Sequence, residues 1–255
     1  MHFGGILFWG SLCAIGFMVG SFSSIVGGGA LVLIPLFSAL GTPLSVAIAT
    51  MRLSSVLQQG VCVVSFSQRG LIEWRRALWA GFWCIPGALL GAHLVLHLSE
   101  RMLAYGVASL MFILLLVTLS FNPKKLENHH QKNQPHPWRW ALLALASLVL
   151  GVYGGFYGAG FSTLLMMVCV GVGSVSLISA SADASVAALF MSIASSLLFF
   201  GAHLVAWPIF VPVTVGGMLG SWLGVRWAAQ WEVGWIRALL ATVVSLSILT
   251  FIFYS

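Results

Sequence analysis

The 255-residue chain is 60% hydrophobic and only 6% charged, with a mean hydropathy of +1.05. Soluble domains carry roughly a quarter charged residues, so a water-soluble globular fold is excluded and lipid is the expected solvent. The formal charge of +6 is gathered in short polar segments and forms no basic domain, which argues against nucleic acid as a partner.

The chain opens Met1-His2-Phe3-Gly4-Gly5, with no Lys or Arg and no clear small-residue cleavage site after it. The first segment is therefore expected to be a retained membrane helix, not a signal peptide. Residues 4–40 are apolar but too long for one straight crossing, and Gly27-Gly28-Gly29 interrupts them. A helix over about 44–67 follows, opened by Thr42-Pro43. A polar turn holds Gln68-Arg69-Gly70 and Glu73-Trp74-Arg75-Arg76, and helices are expected over 77–97 and 102–121. A polar linker, 122–138, then separates a first transmembrane repeat, 1–121, from a second, 139–255. Residues 139–172 are again long and glycine-broken, at Gly154-Gly155 and Gly158-Ala159-Gly160, and helices follow over 176–200, 207–229 and 235–254. Each apolar run reaches the ~20 residues that cross a hydrocarbon core. The predicted fold is all-α: a polytopic transmembrane helical bundle, multi-pass in the cell (inner or plasma) membrane.

Sliding the chain on itself by 131 positions places Gly20 on Gly151, Gly27 on Gly158, Gly29 on Gly160, Ser54 on Ser185 and Gly70 on Gly201. Paired interrupted helices in two repeats are a recurrent plan of secondary transporters. The 68–76 loop holds three Arg and one Glu, while its partner at 201–206 has no Lys or Arg. The 98–101 loop balances Glu100 with Arg101, whereas its partner region has Arg226 and Arg237 against Glu232. This swap of positive charge favours inverted repeats with the 122–138 linker cytoplasmic. Inversion needs an odd number of crossings per half, so each broken segment would re-enter.

The candidate site follows from the breaks. Irregular backbone at membrane depth is tolerated where it lines a cavity or is buried in protein. Unwound glycines before a half-helix can turn amide N–H groups toward an anion, which nominates Gly27, Gly28, Gly29, Gly158 and Gly160. Close helix packing through small residues is the alternative. Arg52 and Asp183 lie inside apolar stretches and coincide at the 131 offset. Each charge alone would cost at least ~2.5–3.5 kcal/mol near a helix centre. Either the two pair to lock the halves, or Arg52 binds an anion and Asp183 exchanges with it or takes up a proton. Thr50 and Ser54 flank Arg52, Ser181 flanks Asp183, and the 50/54 and 181/185 spacings each share one helix face.

Other residues point to less. The four cysteines, Cys13, Cys62, Cys84 and Cys169, lie in apolar runs without a C-x-x-C pair and read as buried small hydrophobes. His93 and His97 have i, i+4 spacing but no clear further ligands, so no metal is expected. No cofactor is expected, and neither is an enzyme, because no nucleophile–base constellation is in sight. Trp74, Trp138, Trp140, Trp207 and Trp231 fall near run ends and read as interfacial anchors.

Together these features resemble the TauE/SafE family of sulfite and organosulfur exporters. The likeness is carried by Gly20-x6-Gly27-Gly28-Gly29-x5-Pro35 and by Gly41-Thr42-Pro43 with Ala47-Ile48-Ala49-Thr50. Arg69-Gly70-Leu71-Ile72-Glu73-Trp74-Arg75, Pro86-Gly87-Ala88-Leu89-Leu90-Gly91-Ala92 and Gly151-x2-Gly154-Gly155-Phe156-Tyr157-Gly158-Ala159-Gly160 complete it. The resemblance implies export of a small sulfur-containing or other anion by alternating access, coupled to an ion gradient such as protons or sodium. The expected partners are a small anionic solute, the lipid bilayer, a coupling proton or sodium ion and, as an open option, a second copy of the chain. A channel or permease for a cation or neutral solute, or a non-transporting assembly subunit, stays open beside it.

Overall fold

In the computed structural model, residues 5–120, 137–173 and 175–227 are described. Among them the chain forms nine helices and no strand: α1 (Ile6–Val26), α2 (Gly29–Ala39), α3 (Leu44–Ser67), α4 (Trp74–His97), α5 (Glu100–Ser120), α6 (Pro137–Phe156), α7 (Phe161–Gly173), α8 (Leu177–Gly201) and α9 (Trp207–Trp227). Five are long and apolar enough to cross a membrane: α3, α4, α8, α9 and Trp138–Phe156 of α6. The helix expected over 235–254 and nearly all of the 122–138 linker lie outside the described residues. Pro137 and Trp138, read from the sequence as linker, already form the first turn of α6.

Both breaks form where expected. Gly27 and Gly28 have φ of 75° and 92° between α1 and α2, and Gly158 and Gly160 have φ of 66° and 78° between α6 and α7. Side chains rarely tolerate that left-handed region, so the breaks sit where glycine permits them. At 11 and 13 residues, α2 and α7 measure roughly 16–20 Å at 1.5 Å per residue, short of the ~30 Å hydrocarbon core. The start of α2 lies back beside α1, since a Cβ on Gly29 would sit 2.9 Å from both Val19 and Ser23.

Helix directions follow from contact registers. α1 packs most extensively on α9, and α4 on α6. Both seams are glycine-lined: a Cβ on Gly16 or Gly20 would reach the backbone of Val213 or Gly217, and one on Gly151 or Gly155 that of Cys84 or Ala88. The numbers climb together, so each pair runs parallel at the close backbone approach that small residues allow. α3 also runs parallel to α9: Thr50 Oγ1 accepts from Ala206 N at 2.9 Å and Ser54 Oγ accepts from Thr214 Oγ1 at 2.9 Å. α4 runs parallel to α8, with Arg76 on Asp183 and Gly81 against Phe190. α3 and α8 are antiparallel, because Cys62 and Phe66 cluster with Ala182 and Val186 while Arg52 lies across from Ser192.

One face therefore gathers the end of α3, the starts of α4, α6 and α8, and the end of α9. It carries Arg69, Arg75, Arg76, Arg139 and Arg226. The opposite face carries Arg101 beside Glu100, whose carboxylate accepts from Leu44 N at 2.9 Å and from Ser45 N and Oγ, pinning the start of α3. α4 begins at Trp74, three residues before its expected start. The extra turn brings Arg76 inward, to 7% exposure, so the helix extends into the segment expected to be a polar turn.

Candidate functional site

A cavity of about 40 Å³ lies where the two breaks face α3 and α8. A water needs roughly 10–15 Å³, so the space holds a few waters or one small ion. Ser23, Gly27, Gly28 and Gly29 line it from the first break, and Gly158, Phe161 and Ser162 from the second. Arg52, Ser55 and Gln59 face it from α3, and Ala188, Met191 and Ser192 from α8. The first N–H groups of a helix have no intrahelical acceptor. α2 and α7 both begin at this space and bring the positive ends of their dipoles to it, although Leu31 N, Phe161 N and Leu164 N already donate to the carbonyls of Gly28, Gly158 and Gly160.

Arg52 is 3% exposed. Its Nη2 donates to the Tyr157 carbonyl at 2.5 Å, while Nε is buried without a hydrogen-bond partner. Among the described residues no carboxylate pairs with it. Glu73 and Asp183 hold Arg76, and Glu100 caps α3. Ser192 Oγ and Gln59 Oε1 also line the cavity, buried and unpartnered. Buried polar groups are nearly always satisfied, so three orphans around one small space make it the candidate site for a polar ligand. Gly158 fits there only because it lacks a side chain: a Cβ would lie 1.6 Å from Arg52 Nη2.

Half of the sequence-nominated residues meet in this cavity: Gly27, Gly28, Gly29, Arg52 and Gly158. The rest lie outside its lining. Thr50 Oγ1 donates to Val46 O and accepts from Ala206 N. Ser54 Oγ accepts from Gln58 Nε2 and Thr214 Oγ1. These two hydroxyls join α3 to α9. Gly160 shapes the start of α7, where its carbonyl accepts from Leu164 N. The Ser181 carbonyl accepts from Ser185 Oγ.

The suggested Arg52–Asp183 pair does not form. In the antiparallel α3–α8 contact, Arg52 lies opposite Ser192, more than two helical turns from Asp183. Asp183, fully buried, instead receives Arg76 Nε at 2.5 Å, Arg76 Nη2, and Glu73 N at 2.9 Å. Arg76 also meets Glu73 Oε2 at 3.0 Å and Ser179 Oγ at 3.4 Å. The sequence reading missed Arg76, Gln59, Ser162 and Ser192. Helical spacing held a signal for one of them, since 52, 55 and 59 share a face of α3. The cysteines are all free. His93 and His97 stack with ring centroids 4.0 Å apart, and no group of three metal-binding side chains gathers among the described residues.

A polar cavity between two short half-helices that each follow a glycine break, inside a multi-pass helical bundle, fits the architecture of a membrane transporter. Residues 12–251 match the family described as Sulfite exporter TauE/SafE, and the chain belongs to that family. It is similar to the "Probable membrane transporter protein ORF9" of Sinorhizobium sp, 27% identical over 89% of this chain and 85% of that one. A "Probable membrane transporter protein" of Haemophilus influenzae is 27% identical over 84% and 83% of the two chains. The "Probable membrane transporter protein YfcA" of Escherichia coli K12 is 26% identical over 86% and 80%. No solved structure matches this chain.

Proposed function

We propose that the protein exports a small anion, inorganic or organic and sulfur-containing, across the cell membrane by alternating access. One observation carries the reading: a buried guanidinium with a free Nε at the cavity and no carboxylate partner among the described residues. An unpaired charge at membrane depth is costly. A bound anion would offset that cost, and the two half-helix N-termini add to its field. The same guanidinium disfavours a cation as cargo.

The helix directions support inverted repeats over 1–121 and 139–255. α1 and α3 run one way, while their counterparts at the 131 offset, α6 and α8, run the other. On this reading the Arg-rich face is cytoplasmic. There the Asp183–Arg76–Glu73 cluster and the apolar group of Cys62, Phe66, Ala182 and Val186 form the closed gate above the cavity. Opening toward the cytoplasm would separate α4 from α8 or shift them together against α3.

Flux in proteoliposomes tests this. Charge-assisted hydrogen bonds contribute about 1.5–3 kcal/mol, so Arg52→Ala is expected to lower sulfite flux roughly ten- to hundredfold while its ligand-free melting point stays near wild type. Sulfonates, carboxylates, sodium and a neutral solute serve as competing cargo. Wild-type flux from a folded Arg52→Ala protein removes Arg52 from the mechanism, and flux of sodium or the neutral solute alone removes the anion.

A further inference from the structure

A second anionic group has a place on the outside of the bundle. α4 and α6 start side by side on the Arg-rich face, tied by Trp79 Nε1 donating to Trp140 O at 3.1 Å. The Arg75 guanidinium lies 5.1 Å from the Trp140 ring centre, and that of Arg139 lies 6.0 Å from Trp138. Neither arginine has a carboxylate partner among the described residues, since the ion pairs there are both made by Arg76. The indoles around them face outward, with Trp138 59% and Trp74 47% exposed.

Further along the same two helices, away from the Arg-rich face, runs an apolar track that is exposed among the described residues. Leu78, Phe82, Leu145 and Val149 continue down α4 and α6 and are all exposed. Two uncompensated cations framed by indoles, above an apolar strip of two helices, complement a molecule with an anionic head and acyl tails. We infer that this α4–α6 face seats an anionic phospholipid, its phosphate between Arg75 and Arg139 and its chains along the strip. The indoles hold both guanidiniums in place by cation–π contact, so little side-chain freedom is left to lose on binding. This site is separate from the cavity and does not depend on what the protein carries.

The test uses the full chain in zwitterionic detergent, titrated with phosphatidylglycerol or phosphatidylcholine of equal chain length and read by melting temperature and native mass spectrometry. Phosphatidylglycerol is expected to raise the melting temperature and to stay bound, and phosphatidylcholine is not. Each basic side chain at a membrane surface is worth about 1 kcal/mol toward anionic lipid, so Arg75→Gln with Arg139→Gln should weaken binding on the order of thirtyfold. Arg75→Lys with Arg139→Lys keeps the charge and should hold binding within about threefold, which separates lost recognition from lost folding. Equal binding of both lipids, equal binding by the double Gln variant, or displacement by millimolar inorganic phosphate would overturn the inference.

Discussion

Arg52 and Asp183 coincide when the sequence is slid by 131 positions, and both are almost fully buried. Their surroundings differ completely. Asp183 is satisfied three times over, by two nitrogens of Arg76 and by Glu73 N. Arg52 is left with one carbonyl and a buried Nε that has no hydrogen-bond partner, on a side chain that lines the cavity. A buried charge that has its partner inside the protein holds structure together, whereas one that lacks a partner invites it from outside. Burial and sequence position alone do not separate the two roles; the neighbours do.

The comparison can be broken most forcefully at Asp183. Asp183→Ala strands the Arg76 guanidinium, and removing one partner of a buried pair typically costs about 3–5 kcal/mol. Thermal unfolding in detergent should show a large drop, with much of it restored when Arg76→Met is added. A single variant as stable as wild type would mean the cluster is not a structural clasp.

Gly158→Ala attacks the other side. The added carbon would collide with Arg52 Nη2, and the left-handed backbone there costs a non-glycine residue roughly 1–2 kcal/mol. Stability is expected to fall by about that amount, while anion binding falls at least tenfold because Arg52 is pushed off its seat. Unchanged affinity, measured by ligand-induced melting shift, would detach Arg52 from the cavity.

The smallest effect is expected at Thr50, which the sequence placed with the ligand and the structure places between helices. Thr50→Val loses the bond from Ala206 N, worth about 0.5–1.5 kcal/mol. Affinity for the anion should stay within about twofold. A tenfold loss of affinity with normal stability would return Thr50 to the site.

Much of the architecture was readable beforehand. Leu44–Ser67 was delimited correctly because Pro43 and the Gln68-Arg69-Gly70 turn punctuate an unbroken apolar run. Both breaks were found because helix-poor glycines recur at one offset. What failed depends on side-chain direction across separate helices. Arg76 stood in a segment read as a polar turn, and nothing local tells that Arg75 turns outward to Trp140 while Arg76 turns inward to Asp183. Likewise Gly155 was read with the break, yet its missing side chain serves contact with Ala88. A glycine kept for a turn and one kept for a seam look alike until the neighbouring helix is in place.

Those seams have a mechanical consequence. α1 is locked to α9 and α4 to α6 with backbone against backbone, leaving no side-chain cushion to slide on. Each such doublet joins one helix from before the central linker to one from after it. The most closely packed helix pairs therefore each combine an earlier and a later part of the sequence. A relative movement of these helices would meet its softest joints between the mixed doublets, where side chains and not backbones are in contact.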